Sequence, residues 1–172
     1  VVEILESRQL LSNTYYVSPS GSDGASGNSS SSPWKTINRV NSQSIHAGDK
    51  NHFRGGSSFS GSLYFSSTEG GSSTSLVTIG TYGSGRATIN SGSKRGLDIA
   101  QTAGFSVSNI NFVGNGMYSN SAEGIDLHID FSNKNVSTFN VNDVNVSGYG
   151  HEGIRIIVDG SNSSVNNVSI TN

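Results

Sequence analysis

The stretch "AEGIDLHIDFSNKNVSTFNVNDVNVSGYGHEGIRIIVDG", residues 122–160, contains the pattern Gly-Ile-x-(Leu/Ile) twice, at Gly124 and Gly153. A related copy, "GLDI", begins at Gly96, so the three glycines are spaced almost evenly along the chain. Between the copies runs a second set: "SNINF" from Ser108, "NDVNV" from Asn142 and "NNVSI" from Asn166. Its apolar positions Ile110, Val144 and Val168 are spaced unevenly, yet their advance over two repeats matches that of the glycines to within one residue. Each segment alternates apolar and polar residues with the two-residue period of a strand. No window carries a long 3.6-residue stripe.

Short strands that recur about every 29 residues without helices describe the coils of a parallel β-solenoid. Coils stack about 4.8 Å apart, so equivalent residues form ladders. Leu97, Ile125 and Ile154 are expected to make one interior ladder, and Ile110, Val144 and Val168 another. Asn109, Asp143 and Asn167 fall at one turn position, where short polar side chains tolerate left-handed backbone. Upstream, "LVTIGTYG" and "ATINSG" read as strands of an earlier coil, and "GSLYFSS" as one earlier still. The expected fold is all-β, a right-handed parallel β-helix, the hand following from the crossover rule.

A solenoid end needs a cap. "SSPWKTINRVNSQ" supplies a short capping helix, with Ser32 as N-cap, Pro33 at the first helical position, and Trp34, Ile37 and Val40 on one face. A Ser/Gly loop joins it to the strand Tyr15–Val17. The organisation is then an N-terminal segment 1–13, cap and first coil 14–60, and coils 61–172. The chain begins at Val1 and ends in "SVNNVSITN", a strand in mid-pattern; the expectation is a C-terminally truncated piece whose partners include further coils of the same parent chain.

Composition agrees. Of 172 residues, 32% are hydrophobic and 13% charged, and 22 are Gly, which suits one domain with a core and many turns. A net charge of −2 leaves no basic footprint for nucleic acid. With no Cys, neither disulfides nor thiolate metal sites hold the fold. No run approaches the roughly 18 apolar residues of a membrane span.

Two stretches resemble known families. "ILESRQLLS" is similar to the LEPR-XLL motif near the N-terminus of large exported bacterial proteins; Leu5, Glu6, Arg8, Leu10 and Leu11 match, and Ser7 stands where the motif has Pro. "YYVSPSGSDGASGNSSSSPWKTINRVN" followed by "AGDKNHFRGGSSFSG" resembles the start of bacterial proteins of the pectin-lyase-like superfamily, although Asn51 stands where an aliphatic residue is usual. The resemblance implies a β-helix, secreted or at the cell surface, with polysaccharide (an acidic glycan among the options) as partner. It also implies either calcium held by acids beside a Lys or Arg base, or paired acids for hydrolysis. Fold alone does not choose among these.

The repeat also gives outward positions. Arg95, Glu123 and Glu152 precede the aligned glycines, and Asp98, Asp126 and Arg155 follow them by two. Each trio is expected to form a column. At about 4.8 Å two carboxylates repel by roughly 1 kcal/mol in water and more at lower dielectric, so a cation or a proton should relieve them. The functional expectation is an acidic patch in which Glu123, Asp126 and Glu152 hold calcium, with Asp130 near it. His151, Glu152 and Arg155 are the catalytic candidates, His151 or Arg155 as base, and His128 lies close in sequence. The alternative is a ladder whose charges simply balance, in a structural or adhesive module of a surface protein. Tyr64, Tyr118 and Tyr149 are candidates for stacking on sugar rings or for packing against loops. "GYGHEG" from Gly148 fits a dinucleotide fingerprint, but "IRIIVDG" after it reads as a strand where that fingerprint needs a helix.

Overall fold

The computed structural model describes residues 12–172. Leu5, Glu6, Arg8, Leu10 and Leu11, which carry the LEPR-XLL-like reading, lie outside the described residues. In chain order the elements are β1 (Thr14–Val17), α1 (Ile37–Asn41), β2 (Lys50–Arg54), β3 (Ser58–Ser60), β4 (Leu63–Phe65), β5 (Val77–Tyr82), β6 (Ala87–Gly92) and β7 (Leu97–Ala100). There follow β8 (Phe105–Ser108), β9 (Ile110–Gly114), β10 (Ile125–Ile129), β11 (Asn135–Asn142), β12 (Asn145–Ser147), β13 (Ile154–Val158) and β14 (Ser164–Thr171).

The strands build three parallel sheets: β1-β2-β5-β8-β11-β14, β3-β6-β9-β12 and β4-β7-β10-β13. From β2 onward the chain visits them in that order on each turn, which is a parallel β-helix. The strands alternate because one face of each sheet lines the interior. Leu63, Leu97, Ile125 and Ile154 register in one ladder, and Phe65, Ile99, Leu127 and Ile156 in the next. Burying each such side chain contributes roughly 1.5–3 kcal/mol before the entropy of ordering it.

One ladder differs from expectation. Ile110 and Val144 stack through the β9–β12 pair, but Val168 registers with Phe139 in β11. Asn167 accordingly aligns with Thr138, while Asn109 and Asp143 share a corner one sheet away. All four adopt positive φ, between 53° and 71°; the left-handed backbone is as expected at Asn109, Asp143 and Asn167, and Thr138 adds a β-branched residue that the sequence did not mark. Two turn types use the same polar residues, and a two-residue period cannot say which turn a given Asn-x-Val occupies.

The cap also differs. The helix starts at Ile37 with Thr36 as N-cap, whose hydroxyl accepts a hydrogen bond from the Arg39 amide. Ser32, Pro33 and Trp34 are not helical. Trp34 runs parallel to Val17, exchanges backbone hydrogen bonds with Tyr16 and Ser18, and stacks on Tyr15 with ring centroids 4.5 Å apart. Ile37 and Val40 are buried as expected. The Ser/Gly loop is a bracket for Trp34: its indole donates to the Ala25 carbonyl, and Asp23 accepts from the Lys35 and Thr36 amides and the Thr36 hydroxyl. Gly27, at φ +75°, lies flat under the indole, where a Cβ would collide with the ring.

Asn51 points inward on β2, registered between Tyr15 and Ile79, and is fully buried. Neither its amide nitrogen nor its oxygen has a hydrogen-bond partner among the described residues.

Candidate functional site on the β4-β7-β10-β13 face

The outer face of this sheet gathers the expected residues because alternate positions of β7, β10 and β13 point away from the core. Tyr64, Asp98, Asp126 and Arg155 form one column in register. Arg95, Glu123 and Glu152 sit just before these strands, and His128 lies two positions beyond Asp126. Tyr64 keeps 45% of its surface exposed, which places an aromatic ring at the head of the column.

Two arginines organise the acids. Arg155 donates from Nε to Asp126 Oδ1 at 2.7 Å and from Nη2 to Oδ2 at 3.1 Å, while its Nη1 lies 3.1 Å from Glu123 Oε1. Arg95 Nε lies 2.7 Å from Glu123 Oε2 and 3.2 Å from Asp126 Oδ2, and its Nη1 is 3.2 Å from Asp98 Oδ2. His128 Nδ1 stands 3.1 Å from Asp126 Oδ2. Burial pushes against ionisation of Asp126 and Glu123. The hydrogen bonds and charges of Arg155 and Arg95 outweigh it, and hold both carboxyls below their ordinary range. Asp98 goes the other way, raised chiefly by burial. Its Oδ1 accepts no hydrogen bond among the described residues, although His128 Nδ1 is 3.5 Å away. Bonding to Asp126 raises Arg155 further, which favours its cationic form and disfavours the proton-accepting role expected of it.

Glu152 and His151 are exposed, and with Glu123 they bring one ligand atom each within 4.8 Å of one another. His151 Nδ1 is 3.9 Å from Glu123 Oε1. Asp130 and Asp159 line one concave patch together with Arg95, His128 and Arg155. Calcium does not fit the expected ligand set. All four carboxylate oxygens of Glu123 and Asp126 already face a guanidinium, so a cation would meet positive charge where it needs free oxygen. Asp98, Asp126 and His128 also approach within 4.8 Å, but Arg95 reaches both of these acids.

The tyrosines separate. Tyr118 is 96% exposed on a loop, whereas Tyr149 is buried and its hydroxyl pairs with Ser91 at 2.8 Å. Tyr149 therefore packs, and only Tyr64 joins the site. Its register with Asp98 was not legible in the sequence, where more than a full repeat length of chain separates the two. The glycines of "GYGHEG" lead into strand β13, so no helix N-terminus forms there.

No protein-family model and no curated protein matches the chain. Among solved structures it is similar to the GH136 lacto-N-biosidase from Eubacterium ramulus, with a TM-score of 0.58 and 16% identity. That match covers 92% of this chain and 34% of the other, so the chain spans about a third of its neighbour. A rhamnogalacturonan lyase matches at a TM-score of 0.39 and 15% identity, over 91% of this chain and 51% of the other. The first likeness shows the β-helix fold.

Proposed function

We propose that this domain binds a polysaccharide along the outer face of the β4-β7-β10-β13 sheet, as part of an exported or cell-surface protein. The observation that carries the reading is the column in which exposed Tyr64 adjoins Asp98, Asp126 and Arg155, polar groups already fixed by their own ion pairs. An aromatic ring beside preorganised hydrogen-bonding groups is what a sugar needs for stacking and for orientation. The carbohydrate-active fold neighbour supports the same reading.

The class of sugar follows from charge. Asp98, Glu123, Asp126, Asp130, Glu152 and Asp159 outnumber Lys94, Arg95 and Arg155 on this face and its rims. Such a field repels a polyanion and suits a neutral or amino-sugar chain. If the bound chain is also cleaved, His151 and Glu152 are the groups to exchange a proton with it, being exposed and, among the described residues, outside the ion pairs that the arginines make. The second reading is a structural or adhesive module. It is favoured by Arg95 and Arg155 capping every oxygen of Glu123 and Asp126, as a purely structural ladder would.

Amide-resolved NMR titration with cello- and chito-oligosaccharides separates the two. Binding predicts shifts around Tyr64, Asp98, His128 and His151, lost in Tyr64→Ala. No shift on this face with either sugar would leave the structural module. Release of reducing ends, abolished by Glu152→Gln, would add catalysis.

A further inference from the structure

The outer face of the other large sheet carries the opposite charge. On β2 the outward residues are Lys50, His52 and Arg54, alternating with buried Asn51 and Phe53. Alternate residues of a strand are about 6.6 Å apart, so Lys50 and Arg54 stand about 13 Å from one another. Their register partners on the neighbouring strands are Thr14, Tyr16, Thr78, Gly80 and Tyr82. Beyond them come the hydroxyl and amide groups of Ser106, Ser108, Asn140 and Asn142. No carboxylate occurs among these outward residues. Among the described residues, neither the Lys50 ammonium nor the Arg54 guanidinium has an ion pair, whereas Arg86, Arg95 and Arg155 are each paired with an acid.

Two tyrosines flank the row. Tyr16 meets Tyr82 edge-on with ring centroids 5.1 Å apart, and meets His52 at 6.1 Å. Those contacts hold the Tyr82 ring, which with Arg54 lines a groove of about 670 Å³ walled by Ser18, Ser31, Pro33 and Ser84. Its lining includes no acid. A guanidinium with unused donors, a fixed aromatic ring and several hydroxyls thus converge on one concave surface.

We propose that this row and groove form a second saccharide site, specific for an acidic sugar chain. Arg54 receives the carboxylate or sulfate of one residue, as a planar fork of donors fits either anion. Tyr82 stacks on the ring of that residue, and Lys50 meets an anionic group further along the chain. His52, lowered chiefly by burial and also by Lys50, is biased toward its neutral form and serves as a hydrogen-bonding group. The flanking Ser and Asn ladders favour a hydroxyl-rich ligand over nucleic acid, which draws its affinity from many phosphate contacts. This site stands independently of the proposed binding on the acidic face.

Fluorescence anisotropy on the 172-residue chain tests it, with labelled oligogalacturonate, chondroitin-sulfate hexasaccharide, maltohexaose and oligodeoxythymidylate. One or both acidic oligosaccharides should bind, more weakly as salt rises. Preference between them identifies carboxylate or sulfate as the anion. Arg54→Gln should weaken binding at least tenfold, Arg54→Lys less, and Tyr82→Ala severalfold; Lys134→Gln, which removes a charge elsewhere, should leave it unchanged. Arg54 is exposed and Tyr82 half-buried against Tyr16, and unchanged thermal midpoints would confirm intact folding. Failure of both acidic sugars to bind, equal binding by Arg54→Gln, or tightest binding of maltohexaose or of oligodeoxythymidylate would overturn the proposal.

Discussion

Arg155 grips both carboxylate oxygens of Asp126, at 2.7 and 3.1 Å, from the next coil of the helix. Asp126 is completely buried and Arg155 partly so, and the same guanidinium reaches Glu123. One side chain therefore ties two acids of β10 and its approach to β13. Removing one member of a buried pair leaves an uncompensated charge, whereas removing both can be nearly neutral.

Arg155→Leu should lower stability by about 2–3 kcal/mol, somewhat below the cost of an isolated buried pair because Arg95 still faces Asp126. Arg155→Leu with Asp126→Leu should recover most of that loss. Urea unfolding of both single variants and the double variant measures the coupling, and additive losses would mean the pair is not a unit.

Asp98 and Asp126 should give opposite pH signatures. Asp126 and Glu123 have lowered folded values, so their contribution is present above about pH 4 and is lost as pH falls through those values. Asp98 has a raised folded value, so it weighs against folding progressively as pH rises from about 4 through that value, and fully above it. Asp98→Asn should therefore be more stable than the parent at pH 7, by about 1 kcal/mol. The advantage should shrink on acidification. Urea midpoints at several pH values check this, and an advantage that grows toward acid would refute it.

Asn51→Leu should stabilise the protein. The amide is fully buried with both polar atoms unpaired among the described residues, and such a group costs about 1–3 kcal/mol. A similar volume of hydrocarbon between Tyr15 and Ile79 should raise the thermal midpoint by several degrees. A lowered midpoint in calorimetry would show that the amide is satisfied in solution.

Millimolar calcium should leave the thermal midpoint unchanged, since Glu123 and Asp126 present their oxygens to arginine. A rise in midpoint with calcium, abolished by Glu152→Gln, would mean that the arginines yield to the ion.

The β-helix and the grouping of the candidate site were legible in the residues. A two-residue apolar period specifies which side chains face inward, and the pattern Gly-(Ile/Leu)-x-(Ile/Leu) returning at a nearly constant interval specifies which strands repeat. Those facts placed Glu123, Asp126, Glu152 and Arg155 on one surface. Turn residues were legible as a class too, and Asn109, Asp143 and Asn167 all adopt left-handed backbone.

Registration was decided only in three dimensions. Loops of different length separate the strands, so Val168 could be assigned to Phe139 rather than Ile110 only when whole sheets were paired. The helix start depended on Trp34 being claimed by β1 and the Ala25 carbonyl, contacts local propensity does not encode. Whether stacked acids face calcium, each other or arginine likewise depends on side-chain reach between coils. The row Lys50, His52 and Arg54 is visible as alternation along one strand. That no carboxylate faces it among the described residues is a property of strands as distant in the sequence as β11, because only the folded sheet sets a charge against its neighbours.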